Sequence, residues 1–220
     1  WSSDVCSSDL EKFGGVGPHT ISFPRLERAD NAPLAVRPPH PVSDRDFKRL
    51  VTVIRLSVPY TGMIITARES AEVRRDVMAV GCTQTDASTR IGIGAYSGEE
   101  TEQQLERQQF AIGDSRDLEE VIREQCEMGN LISFCTAGYR CGRTGAQFMD
   151  MAQHGKVHQF CIPNAILTFK EYLLDYASPE TIAVGEALIA KRLAEMPERI
   201  RPAIEERLRQ IENGERDLLF

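Results

Sequence analysis

The chain has 220 residues, of which 41% are apolar and 27% charged, and a formal net charge of −7. That balance excludes a disordered chain, and the length suffices for a packed core. No run of 18 apolar residues is long enough to span a membrane, and the acidic balance argues against a nucleic-acid partner.

Trp1–Leu10 reads WSSDVCSSDL, which resembles a common sequencing-library adaptor translated in frame. It is set aside as an artefact. Removing Asp4 and Asp9 takes the charge from −7 to −5, and removing Cys6 leaves Cys82, Cys126, Cys135, Cys141 and Cys161. That is too few cysteines for a disulfide scaffold. An adaptor at the start also predicts that the protein extends upstream, so that the chain is a C-terminal fragment.

Thr20-Ile21-Ser22-Phe23 reads as a short strand, followed by a proline-rich loop to Pro41. Ser43 has the chemistry of a helix N-cap, with Asp46 placed to reach back. Phe47, Leu50, Val51, Ile54 and Val58 form one helical stripe, and Pro59 ends it. Met63-Ile64-Ile65 reads as a strand buried on both faces of a parallel sheet. Ser70 caps a helix over Ala71–Val80, which Gly81 stops. Thr83–Ser88 is a weak strand candidate. Strand–helix alternation with short links implies right-handed βαβ units.

Gly92–Gln109 has the composition of a solvated loop. A helix over Arg116–Met128 is expected to bury Leu118, Val121 and Ile122 and to end at Gly129. A cysteine-bearing loop region is expected from Phe134 to Cys161. Beyond it, Ile166, Phe169 and Leu173 share one helical stripe. Ser178-Pro179 starts a helix running to Met196. Ile200, Ile204, Leu208 and Ile211 stripe the last helix. The expected domains are 11–128, a partial barrel, and 129–220, a mostly helical extension.

Three cysteines within 27 residues, Cys135, Cys141 and Cys161, suggest soft-metal ligation, because thiolates donate strongly to iron. Separate buried thiols are the plainer reading. Zinc is a second metal to consider, with His154 and His158 nearby. Gly142-Arg-Thr-Gly145 lacks the G-x4-G-K-S/T pattern of a phosphate loop. Arg68 follows a predicted strand, on the face where parallel barrels hold substrate. An arginine there can grip a carboxylate with two donors. Ser88 and Arg90 stand after the next strand. His19 precedes the first strand, and its spacing alone makes it structural.

Five stretches carry a resemblance. They are Gly15-Val-Gly-Pro-His19-Thr-Ile-Ser-Phe-Pro-Arg25, Val58-Pro-Tyr-Thr-Gly-Met-Ile-Ile-Thr-Ala-Arg-Glu-Ser70, Ser133-Phe-Cys-Thr-Ala-Gly-Tyr-Arg-Cys-Gly-Arg-Thr-Gly145, Phe160-Cys-Ile-Pro-Asn-Ala-Ile-Leu-Thr-Phe-Lys-Glu-Tyr172, and the ending Asn213-Gly-Glu-Arg-Asp217. Together they resemble the C-terminal half of the radical-SAM tyrosine lyases that mature FeFe-hydrogenases, from about Phe13 to Phe220. The thiamine-pathway tyrosine lyase, 2-iminoacetate synthase, is a more distant relative.

The resemblance implies an α/β fold: about the last three strands of a radical-SAM (β/α)8 barrel, then a helical extension. It implies a 4Fe–4S cluster that binds S-adenosylmethionine through a C-x3-C-x2-C loop, absent from this chain. No residue here is thereby assigned to adenosylmethionine. The implied reaction breaks the Cα–Cβ bond of tyrosine to give p-cresol and dehydroglycine. Dehydroglycine is then turned into CO and cyanide at an auxiliary iron–sulfur cluster, for hydrogenase maturation. A cytoplasmic enzyme working with the maturation machinery is expected.

The family's auxiliary cluster is held by C-x2-C-x22-C. The first and third positions fall on Cys135 and Cys161, and the second on Gly138, which cannot ligate. Cys141 lies three residues on as a substitute. The histidine that helps hold an extra iron falls on His19. Three readings follow: the full lyase with an auxiliary cluster, a tyrosine lyase without one, and a non-catalytic metal-binding module. A C-x3-C-x2-C loop upstream excludes the third.

Overall fold

A computed structural model describes residues 12–14, 17–29, 32–91, 110–134 and 137–220. The adaptor-like Trp1–Leu10, the Gly92–Gln109 stretch and Cys135 lie outside the described residues. The chain divides into two units, one up to Asp117 and one from Leu118.

The first unit is a three-stranded parallel sheet in the order β1 (Thr20–Ser22), β2 (Gly62–Ile65), β3 (Gln84–Thr85). Thr20 pairs with Gly62, and Ile64 with Gln84. A single turn of helix, α1 (Pro33–Val36), precedes α2 (Asp44–Ser57), which links β1 to β2; α3 (Ala71–Met78) links β2 to β3. Local chemistry starts both long helices. The Ser43 hydroxyl accepts from the Asp46 amide at 3.2 Å and donates to its carboxylate at 2.8 Å. The Ser70 hydroxyl accepts from the Val73 amide at 3.3 Å. Phe47 and Val51 of α2, Met63 and Ile65 of β2, and Val73 and Val77 of α3 form the core with Cys82.

Three expectations are corrected here. On β2, Met63 and Ile65 are buried while Ile64 is half-buried. Leu50 drops out of the α2 stripe and is exposed, and Val58 is only half-buried. Helix α3 stops at Met78 rather than Val80.

The second unit is helical: α4 (Leu118–Glu127), α5 (Ala137–Arg140), α6 (Gly145–Gln153), α7 (His158–Asp175), α8 (Pro179–Glu195) and α9 (Arg201–Glu212). α4 packs on α8, and α8 and α9 pack on α7. Ile166, Phe169 and Leu173 of α7 are fully buried with Ile204 and Ile211 of α9. Gly185 lets α8 approach, since a Cβ there would lie 2.7 Å from a Leu173 methyl. Leu118 is exposed instead of buried, because α4 begins at that residue. The region expected as loop between Phe134 and Cys161 is mostly helix, and Cys161 sits in the first turn of α7. No helix among the described residues is long and apolar enough to cross a membrane.

Candidate functional site

The carboxyl ends of the three parallel strands are tied together by one segment, residues 110–116. The Ala111 amide donates to the Arg28 carbonyl, after β1, at 2.9 Å. The Gly113 and Asp114 amides donate to the Ala67 carbonyl, after β2, at 2.9 and 3.0 Å. The Arg116 carbonyl accepts from the Ser88 amide, after β3, at 3.0 Å. Glycine is needed at 113, since a Cβ there would lie 2.5 Å from the Arg68 carbonyl oxygen.

Two buried carboxylates anchor this face. Glu69, 2% exposed, takes Arg25 through two guanidinium nitrogens, and Arg25 also reaches Asp44 at 2.7 Å. Glu69 accordingly holds the Arg25 guanidinium more firmly charged than usual, against its desolvation. Asp114, 4% exposed, takes Arg74 and receives Arg116 at 2.9 and 2.8 Å. Burial raises the Asp114 carboxyl, and the hydrogen bonds from Arg116 and the charges of Arg74 and Arg116 outweigh it, leaving it at about 2. Arg74 further donates to the Thr85 hydroxyl and the Asp86 carbonyl. The Asp86 carboxylate accepts from the Ala67 amide at 2.8 Å. Glu27 is pushed up by burial and by Glu69, against the pull of Arg25 and Arg68.

Within this frame Arg68 and Ser88 are both held by the 110–116 segment. The Arg68 guanidinium lies over the Phe110 ring at 3.7 Å. Ser88 adopts φ +55°, a left-handed conformation that a serine takes only when its surroundings enforce it. Arg90 is exposed, two residues on. His19 is exposed at the opposite, amino end of β1, where its carbonyl accepts from Gly62 at 3.0 Å. Phe110, Asp114 and Arg74 are absent from the sequence expectations. Gly113-Asp-Ser-Arg carries no pattern beyond a helix start, and its partners are distant in the chain.

In the second unit, Cys161 and Cys141 are exposed. The turn around them is gripped by the final residues. Arg143 stacks on Phe160 at 3.9 Å and donates to the Phe220 carbonyl at 3.0 Å. Asn164 donates to that carbonyl at 3.0 Å and accepts from the Phe220 amide at 2.7 Å. Arg140 pairs with Asp217 at 2.7 Å. His154, just past the end of α6, pairs with Asp150 of that helix, and among the described residues no three His, Cys, Asp or Glu side chains converge on a metal position.

The profile of the Biotin and Thiamin Synthesis associated domain matches residues 22–130. Among solved structures, the chain is 48% identical to HydG, described as a maturase of the [FeFe]-hydrogenase, over 97% of its own length, with a TM-score of 0.86. The chain resembles the FeFe-hydrogenase maturases. HydG from Carboxydothermus hydrogenoformans is 34% identical over 91% of the chain, with a TM-score of 0.67. The chain spans 45% and 42% of the length of these two maturases. No curated protein matches it. The parallel sheet and helical extension are those of a partial radical-SAM barrel as found in these maturases.

A maturase of this kind implies iron–sulfur clusters. The residues described here do not supply a complete thiolate set for an auxiliary one. Position 138 is glycine, and a Cβ built there would meet open space.

Proposed function

We propose that this chain forms the substrate-holding end of a radical-SAM lyase that cleaves tyrosine between Cα and Cβ in FeFe-hydrogenase maturation. The observation that carries the reading is the 48% identity to the maturase over nearly the whole chain. S-adenosylmethionine, bound to an iron–sulfur cluster, supplies the oxidising radical for such a cleavage. The part of this chain is to hold the amino acid. Arg68 offers two in-plane donors to a carboxylate. Ser88, in its enforced backbone conformation, offers a hydroxyl at the neighbouring strand end, and Arg90 adds positive charge. Fixing the amino-acid end leaves the Cα–Cβ bond in one orientation, which is worth more than binding strength alone.

A second reading is favoured by Gly138. The product set then ends at p-cresol and dehydroglycine, without CO or cyanide. Cys135, Cys141 and Cys161 are the residues we assign to a metal bound by the second unit, and His19 to one bound by the first.

The experiment measures p-cresol release from tyrosine and S-adenosylmethionine, by a protein of the relatives' length carrying this sequence. Turnover is expected there and none from the 220-residue chain alone. Arg68→Lys is expected to raise the tyrosine KM about tenfold, since lysine lacks the planar fork. No p-cresol from the longer protein overturns the reading. Gly138→Cys is expected to raise bound iron and to start cyanide release; cyanide from the parent overturns the second reading.

A further inference from the structure

The strand-end face holds four arginines whose side-chain partners are described, and they are used differently. Arg25 is spent on Glu69 and Asp44, while Arg74 and Arg116 converge on Asp114. Arg68 alone of the four makes no hydrogen bond among the described residues; its guanidinium carbon lies over the Phe110 ring, 3.7 Å from the ring centre. Stacking occupies the faces of a guanidinium and leaves its N–H donors pointing outward in the plane. An arginine held in this way is ready to receive a planar anion.

Both ends of that arginine are fixed by the same short segment. Its carbonyl is packed against Gly113, where any side chain would collide, and its head rests on Phe110. The segment itself is pinned by the Ala111, Gly113 and Asp114 amides. The stem of an arginine is otherwise flexible, and ordering it on ligand binding lowers affinity. A shelf that orders it beforehand removes that cost.

We infer that Phe110 is a positioning residue, whose ring sets the plane of the Arg68 guanidinium for an α-amino-acid carboxylate. This rests on the carboxylate role given to Arg68 above. Tyrosine and S-adenosylmethionine both carry that group, and the test separates them.

The test uses a protein of the relatives' length with this sequence in place. Affinities for L-tyrosine, tyramine and S-adenosylmethionine are measured by calorimetry in Phe110→Leu, Phe110→Tyr, Arg68→Lys and the Phe110→Leu/Arg68→Lys double variant. Phe110→Leu is expected to weaken one of the two amino acids about fivefold. The weakened one identifies the ligand. Phe110→Tyr keeps a ring and should restore binding to within about twofold. Tyramine, without a carboxylate, should bind unchanged. In the Arg68→Lys background, Phe110→Leu should add nothing, because the two act as one unit. The Arg68 side-chain proton resonances, shifted upfield by the ring in the parent, should return downfield in Phe110→Leu.

Three results overturn the inference: equal weakening of tyramine, a full Phe110→Leu effect without Arg68, or no upfield shift in the parent. If Arg68→Lys weakens an amino acid and Phe110→Leu does not, Phe110 loses its role and the carboxylate site stands. If Arg68→Lys weakens neither, the carboxylate site itself falls, and the inference with it.

Discussion

The two units differ in their balance of apolar core and buried charge, although the second also buries Lys170 against Glu186 and Glu212. The second has one continuous apolar core running through α4, α7, α8 and α9. The first has a small core of seven buried residues. Around it stand buried charges: Glu69 with Arg25, Asp114 with Arg74 and Arg116, and Arg55, which donates to the carbonyls of Pro59, Thr61 and Gly81. A core of hydrocarbon carries no group that titrates, and it is packed closely enough that Gly185 admits no side chain. A frame of ion pairs titrates, and it fixes polar groups at the strand ends, as a ligand-holding surface requires.

The largest expected effect breaks the apolar side of this contrast. Phe169→Ala empties a fully buried ring site, and should cost about 4 kcal/mol in urea unfolding followed by circular dichroism. Its cost should not change between pH 7 and pH 4. Arg74→Met attacks the charged side, leaving Asp114 with Arg116 alone, and should cost about 3 kcal/mol.

That frame also has a pH signature. The Asp114 carboxyl lies at about 2 in the folded chain, below its ordinary value of 3.8. The stability it gives is therefore complete above its unfolded pKa and is lost as the pH falls from about 4 towards 2. Asp114→Asn should be less stable at pH 7 and should flatten this part of the profile. An unchanged acid limb in Asp114→Asn would remove the charged frame from the comparison.

The smallest effect sharpens the contrast by showing what the units share. Ser178→Ala and Ser70→Ala each remove an N-cap hydroxyl, and each should cost about 1 kcal/mol. Equal costs would locate the difference in the cores rather than in the helices.

What the sequence revealed follows the same division. Ile166, Phe169 and Leu173 are legible because a helix writes its buried face at a fixed spacing. Ser43, Ser70 and Ser178 are legible because a cap acts within three residues. Arg74 and Asp114 are not, since they lie 40 residues apart and meet only when the strand ends are assembled. The cysteine region misleads for a local reason. Gly142, Gly145 and Gly155 suggest loop, but they take left-handed φ of +70°, +56° and +68° at the boundaries of α5, α6 and the turn after it. Arg68 and Ser88 stand after β2 and β3, where the strand pattern puts them, whereas Phe110, after a long polar stretch, carries no sequence signal that its ring lies under Arg68.

The cysteines bring a practical benefit. Cys82 and Cys126 are buried, and burial pushes both thiols up to about 11. At neutral pH only about one in ten thousand of either is thiolate, the form that reacts with alkylating reagents. Cys141 and Cys161 are exposed. Among the four cysteines of the described residues, a maleimide-borne spin label or dye should therefore choose Cys141 and Cys161, at the tail-gripped turn, and spare both cores. Distance measurements across the second unit can begin without first replacing Cys82 or Cys126.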